Sequence, residues 1–397
     1  MNTMANELES AIERLQSCLA VVDSERCSSA NCAGRILADD LLADRDSPAS
    51  NVSAMDGYAV RMADIQPENR LPVLGTVPAG RPTIRLSAQG AVRVFTGALV
   101  PAESEAVLRR EDVRELGDAI EIPTDLIRPP CGEHIRLRGE NLAAGEVVLR
   151  RGTIINSVAM GALACFAEEI TNVRRRVRVT ILNTGDELVE TGRPAEAWQI
   201  RDSNGPVLET WLGQLPWVQL LGRRRVVDSA EATEAALREA ISRSDAVLLT
   251  GGVSMGDADY VPRAIEGMGG QILFHRLPLR PGKPVLGACC QGKLVMGLPG
   301  NPVSVTVTSR VFGEPLLRYL AGIIPTSPAL PRLSLVNPDQ KVLSLTWFRM
   351  VRFEERGLTL VENQGSGDLV SLARSNGVIA VPPNTPTDST PFPFIAW

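Results

Sequence analysis

Histidine is almost missing from this chain, with only His134 and His275 in 397 residues. A histidine-rich metal centre or a compact Ser-His-Asp triad is therefore not expected. Any chemistry has to rest on carboxylates, arginines, lysines and backbone amides. The seven cysteines (Cys18, Cys27, Cys32, Cys131, Cys165, Cys289, Cys290) include no CxxC pair, which fits neither a disulfide framework nor a zinc knuckle. Residues 1–9 lack a basic and apolar leader, and no run of about 18 apolar residues exists. Neither a signal peptide nor a membrane span is expected, and the expected compartment is the cytoplasm. GxxxxGK[ST], GxGxxG and HExxH are all absent, which weakens kinase, dehydrogenase and zinc-protease readings. Repeats and low-complexity tracts are lacking too. A net charge of −5 argues against nucleic acid, and the arginine runs at 174–176 and 223–225 read as solvated surface.

What is present belongs to an ordinary soluble, multidomain protein: 44% hydrophobic and 22% charged residues over a length that suits two to four domains. The 34 glycines and 28 prolines imply many turns and some β-rich material. The most informative stretch is 245–259. The apolar run Ala246 to Leu249 stops at Thr250-Gly251-Gly252, and the carboxylates Asp257 and Asp259 follow shortly after. Such a run reads as a buried strand of a parallel sheet. Glycines at its end let backbone N–H groups approach an anion closely.

Read in order, Leu8, Ile12, Leu15, Leu19 and Val22 have helical spacing, so a helix is expected over 5–22. Residues 70–140 are short strands broken by proline and glycine, a β-rich domain. Asp56-Gly57 on its own reads as a hairpin turn. A helix is expected over 157–167. From residue 177, strands (177–182, 218–221, 246–249, 293–296) alternate with helices (to about 215, 230–242, 259–268, and one running to about 320). This alternation predicts a doubly wound α/β domain over 177–322. Ligands bind such sheets outside the carboxyl ends of the strands. Asp186, Glu187, Gly251, Gly252, Ser254, Asp257, Asp259 and Asn301 are therefore expected to share one crevice. A proline-rich linker over 325–331 leads to a small C-terminal β domain over 332–397.

Several carboxylates in one crevice need a cation, and an oxygen-rich set without histidine favours Mg²⁺ over zinc. Arg276, Arg280 and Lys283 share one short segment and suit an oxyanion. Together these features suit a phosphorylated substrate beside a second oxyanion.

Taken together, these motifs resemble the MoeA family, the molybdopterin molybdenumtransferases that include the E domain of gephyrin. The resemblance runs through 53–59, Thr96-Gly97-Ala98, Gly139-Glu140, 184–188, Asp202-Ser203-Asn204, 251–254, 256–259, 281–284 and 297–302, with 365–366 and 376–377 towards the end. It implies an elongated homodimer with four domains per subunit. These are an elongated domain (1–45 and 142–176), a β-rich domain (46–141), a MogA-like α/β domain (177–322) and a C-terminal β domain (325–397). It further implies Mg²⁺-dependent hydrolysis of adenylylated molybdopterin, with molybdate inserted and AMP released. The cleft it implies brings Asp56 and Thr96 of one subunit to Asp186, Glu187 and Asp259 of the other.

On this reading Asp56, Asp186, Glu187 and Asp259 form the reacting centre, and Glu187, Asp257 and Asp259 hold the metal. Which of these carboxylates instead orients water stays open. Thr96, Gly251, Gly252, Ser254, Asp257, Arg276, Arg280, Lys283, Pro299 and Asn301 contact substrate. A MogA-type adenylyltransferase and molybdoenzyme clients are the implied partners. Three departures from the pattern of the resembled family stand out: Asn141 where aspartate is usual, Arg276 and Arg280 where lysines are common, and Thr346-Trp347-Phe348-Arg349 where a Gly-Arg pair is expected. Two other readings are an adenylyltransferase, which would consume ATP, and a non-catalytic cofactor carrier, which would bind without turnover.

Overall fold

The computed structural model describes residues 5–87, 89–167, 169–253, 260–327, 329–389 and 391–397. The chain forms two compact units. One comprises the residues up to Asp39 with Arg151–Met160 and Glu169–Trp397, the other Asp40–Arg150 with Gly161–Glu168.

The first unit is built on a six-stranded sheet in the order Val218–Val226, Val177–Thr184, Ala246–Thr250, Lys293–Leu298, Leu286–Cys290, Gln271–His275. The first four strands are parallel, and the last two add antiparallel. Period-2 alternation sends successive side chains into two separate cores. Val177, Val179, Ile181, Ala246 and Leu248 meet Leu208, Trp211, Phe312 and Leu316 on one face. Leu182, Val247, Leu249 and Val295 meet Leu237, Ile241 and Ile265 on the other. Helices on both faces explain why these strands read as continuous apolar runs. The hairpin strands 271–275 and 286–290 do not stand out in the sequence because Gly287, Cys289 and Cys290 dilute the β-branched signal.

The N-terminal helix is Ala5–Gln16, shorter than expected. The Ser17 hydroxyl donates to the Arg14 carbonyl, an end-of-helix bond, and the chain then turns. Leu19 and Val22 are still buried in the first core beside Leu15. The helix expected to run to residue 320 is Pro302–Thr308, a π-turn over Ser309–Gly313, and Glu314–Leu320. Pro315 has no N–H for the ordinary i→i−4 bond, which accounts for a widened turn at this point.

Towards the C-terminus, Thr346–Glu354, Gly377–Val381 and Phe392–Ala396 form the antiparallel β sheet expected there. Its outer strand, Leu279–Arg280, is lent by the α/β part and pairs in parallel with Thr346–Trp347. The second unit holds a six-stranded sheet in the order Ala106–Arg109, Gly57–Val60, Ala91–Val94, Arg70–Val77, Ala119–Glu121, Arg114–Glu115. Tyr58, Val60 and Leu108 face one core and Ala59, Val92 and Val107 another.

Candidate functional site

Three neighbouring parallel strands, Val177–Thr184, Ala246–Thr250 and Lys293–Leu298, end on the same edge of the sheet. Each continues into a turn expected from the sequence to carry chemistry: Gly185-Asp186-Glu187, Gly251-Gly252 and Pro299-Gly300-Asn301. Hydrogen bonds fix these turns to one another. The Thr184 hydroxyl donates to the Thr250 carbonyl at 3.2 Å, and the Gly251 amide donates to the Leu298 carbonyl at 3.1 Å. The Asn204 amide donates to the Gly300 carbonyl at 2.6 Å. Gly251 has φ +84°, and a Cβ there would stand 2.7 Å from Thr184 Oγ1 and 2.9 Å from the Thr184 carbonyl oxygen. Only glycine fits at this point.

A buried polar shell supports this edge. Asn183 donates to both oxygens of Asp202 at 3.0 Å, the Gly205 amide donates to Asp202 at 2.9 Å, and Arg223 completes the group with an ion pair. Asn183 Oδ1 and Asn204 Oδ1 are buried without a hydrogen-bond partner among the described residues. The two lone acceptors mark this edge as polar beyond what its own backbone satisfies. Of the basic run 223–225, Arg224 pairs with Glu239 and Arg225 donates to the Asp186 carbonyl, so all three arginines are engaged within the fold.

Asp186 and Glu187 are exposed at the strand end. Asp186 and Asp228 cap each other: each backbone amide donates to the other's carboxylate at 3.3 Å. Sequence reasoning does not single out Asp228, because the expected strand stops at Leu221. The observed strand continues to Val226, so Asp228 follows a strand end just as Asp186 does. His275 has a supporting place too. Its Nε2 lies 2.8 Å from the Val253 carbonyl, bracing the segment after Gly252. Ser254, Asp257 and Asp259 lie outside the described residues.

Beside this edge is a cavity of about 730 Å³ lined by Arg280, Lys283, Asn301, Lys341, Trp347 and Ser366, among others. That volume suits a small organic ligand and exceeds what an oxyanion alone needs. Asn301 donates to Ser366 Oγ at 3.0 Å, joining the Pro299-Gly300-Asn301 turn to the 361–368 loop of the C-terminal part. Arg276, expected with Arg280 and Lys283, is exposed and does not line this cavity. Lys341 and Trp347 do line it, though neither is among the site residues expected from the sequence.

Asp56 and Thr96 lie in the second unit. The Thr96 amide and hydroxyl both donate to Asp56 Oδ1 at 2.8 Å, which holds the Asp56 carboxyl below the usual range, helped by Arg110 and Arg93. Gly57 starts the strand next to the sheet's Ala106–Arg109 edge, where a Cβ would overlap the Leu108 carbonyl oxygen. Asn141 accepts from Arg136 at 2.6 Å and donates to Ser47 at 3.3 Å. An aspartate has no donor for the second bond and could keep it only by accepting from the Ser47 hydroxyl.

No group of three or more His, Cys, Asp or Glu side chains close enough to hold a metal occurs among the described residues. Asp186 and Asp228 nevertheless place two carboxylates at adjacent strand ends, each accepting the other's amide on one oxygen. This fits Mg²⁺, which binds through one or two carboxylates together with water and substrate phosphate, better than Ca²⁺ or Zn²⁺. No helix among the described residues is long and apolar enough to cross a membrane.

Comparison with known proteins identifies the family. Residues 6–167 match the family model of the MoeA N-terminal region (domain I and II), and residues 180–319 match that of a probable molybdopterin binding domain. The chain is 30% identical to a molybdopterin molybdenumtransferase of Staphylococcus epidermidis over 95% of its own length and 92% of the relative's. It is 35% identical to one of Haemophilus influenzae, over 73% of this chain and 71% of that one. The crystal structure of the molybdopterin biosynthesis MoeA protein of Pyrococcus horikoshii OT3 superposes with a TM-score of 0.83 at 26% identity, covering 98% and 99% of the two chains. Identity at this level along nearly the whole length, on the same fold, means that the chain belongs to the MoeA family of molybdopterin molybdenumtransferases.

Proposed function

We propose that this protein works in molybdenum cofactor biosynthesis, inserting molybdate into adenylylated molybdopterin in a Mg²⁺-dependent step that releases AMP. One observation carries the reading: three glycine-bearing turns and the carboxylates Asp186, Glu187 and Asp228 gather at one sheet edge, beside a cavity lined by Arg280 and Lys283. Neither cation forms an ion pair among the described residues, so both are available to an oxyanion.

In this reading the Gly251-Gly252 turn offers backbone N–H groups to the phosphate end of the substrate. Asp186, Glu187 and Asp228, with Asp257 and Asp259, would hold Mg²⁺. Bound there, the cation would neutralise phosphate charge and polarise the link to AMP. Arg280 and Lys283 would seat molybdate. Asp56 stays ionised because Thr96 donates to it twice, and it would orient water from a second copy in a homodimer. The division into four domains, the cytoplasmic location and a MogA-type adenylyltransferase as the source of substrate belong to the same proposal.

The test is AMP release from adenylylated molybdopterin with Mg²⁺ and molybdate, for the parent, Asp228→Ala and Asp259→Ala. Molybdate-dependent release, reduced at least about ten-fold in both variants, is expected. ATP consumption without AMP release would identify an adenylyltransferase instead. Tight binding without turnover would identify a carrier. Either result overturns the proposal.

A further inference from the structure

The wall of the cavity contributed by the C-terminal β sheet includes Trp347, Phe348, Arg349 and Met350. Arg280 stands directly opposite Trp347 in the parallel pairing of Leu279–Arg280 with Thr346–Trp347. Partners in register project to the same side of a sheet. Arg280 Cζ lies 5.8 Å from the centroid of the Trp347 ring, and Arg349 Cζ lies 4.2 Å from it.

The two guanidinium groups differ in their other partners. Arg349 is clamped by Asp339 through bonds of 2.6 and 2.9 Å, and its side chain is only 12% exposed. Its charge is already balanced. Arg280 is exposed, lines the cavity and has no ion pair among the described residues. A guanidinium held over an aromatic ring still has N–H groups to offer an oxyanion, whereas an unsupported arginine samples many rotamers.

We infer that Trp347 is a positioning residue for oxyanion binding. Its ring restrains the Arg280 guanidinium at the cavity wall, and the Arg349–Asp339 pair fixes the ring. The inference rests on the proposed reading of the cavity as the molybdate site and adds the residue that orients its principal cation. The ligand is a tetrahedral oxyanion, represented in the test by molybdate.

The full-length protein and its Trp347→Leu, Trp347→Phe and Arg280→Ala variants would be titrated with molybdate at constant ionic strength. Binding would be read by equilibrium dialysis and tryptophan fluorescence, and AMP release would be followed in parallel. Trp347→Leu should raise the half-saturating molybdate concentration about five-fold or more, while kcat at saturation stays within about two-fold. Trp347→Phe, which keeps an aromatic face, should stay within about two-fold of the parent. The parent's molybdate-dependent fluorescence change should disappear in Trp347→Phe and in Arg280→Ala.

Equal weakening by Leu and Phe, or a fall in kcat with unchanged half-saturation, overturns the inference. So does a parent fluorescence that ignores molybdate. If these binding effects appear without any AMP release, the positioning role stands and the proposed function fails. If AMP is released but neither its rate nor its molybdate dependence responds to Trp347, the proposed function stands and the positioning role fails.

Discussion

Asp245 is the most consequential buried charge at the end of the sheet away from the candidate site. It precedes the Ala246–Thr250 strand and is 3% exposed. Arg175 donates to both its oxygens at 2.6 and 2.9 Å, the Arg178 amide donates at 2.8 Å, and Lys293 Nζ lies 3.5 Å away. Replacing it by asparagine keeps the shape but leaves the half-buried Arg175 guanidinium with only the exposed Asp23 carboxylate, 3.9 Å away, as counter-charge. Breaking a buried pair from one side costs roughly 3–5 kcal/mol; partial access of Arg175 and Lys293 to water points to the lower end, about 3 kcal/mol. At about 2–4 °C per kcal/mol, the thermal midpoint should fall by about 6–12 °C, measured by calorimetry at pH 7.

The pH dependence provides a sharper check. Burial pushes the Asp245 carboxyl up, but the hydrogen bonds from Arg175 and the Arg178 amide and the charges of Arg175 and Lys293 outweigh it and hold the group at about 2. Its folded value lies below the unfolded one, so its stabilisation is present above about pH 4 and is lost as pH falls through about 2. The asparagine variant has no such group to titrate. The gap in midpoint between parent and Asp245→Asn should therefore close as pH falls from about 4 to 2. A gap of the same size at both ends of that window would refute the argument.

Other substitutions test the site itself. Gly251→Ala places a methyl against Thr184 and forces an alanine to φ +84°; it should cost about 1–3 kcal/mol in denaturant unfolding and at least about ten-fold in AMP release. Asp56→Asn removes the charge from an exposed carboxylate, so the thermal midpoint should move by less than about 2 °C while the rate falls by about a hundred-fold. Asn141→Asp gains a charged partner for Arg136 but loses the donor to Ser47; with the pair exposed, unfolding free energy should change by no more than about 0.5 kcal/mol. A larger change would mean that Asn141 has partners beyond these two.

Much of the α/β architecture is legible in the sequence because both faces of its sheet are covered, which imposes apolar runs that end abruptly in glycine. Thr250-Gly251-Gly252 is the clearest case. The turn positions of Asp186 and Asn301 follow from the same logic. What escapes depends on register or on partners distant in sequence. Asp228 is hidden because Gly222 and three arginines mask the continuation of a strand whose charged side chains are balanced by Asp202, Glu209 and Glu239. Trp347 and Lys341 become site residues only through the ladder that pairs 279–280 with 346–347. Arg276 looks equivalent to Arg280 in sequence, but its exposed turn position takes it off the cavity wall.

The π-turn at Ser309–Gly313 makes a jointed rod of what would otherwise be one helix. Its front segment, Pro302–Thr308, begins at Asn301 and so carries the site; its rear segment, Glu314–Leu320, is anchored through Leu316, Leu317 and Leu320 in the core shared with the N-terminal helix. At the joint, Arg310 stacks on Trp211 at 4.7 Å, has a buried Nη1 without a partner among the described residues, and is pushed down to about 10 by burial. Amide hydrogen exchange should find this turn opening more readily than either flanking segment, because a widened turn has fewer well-formed bonds to break. Small tilts of the front segment would then be absorbed at the joint before they reached the core.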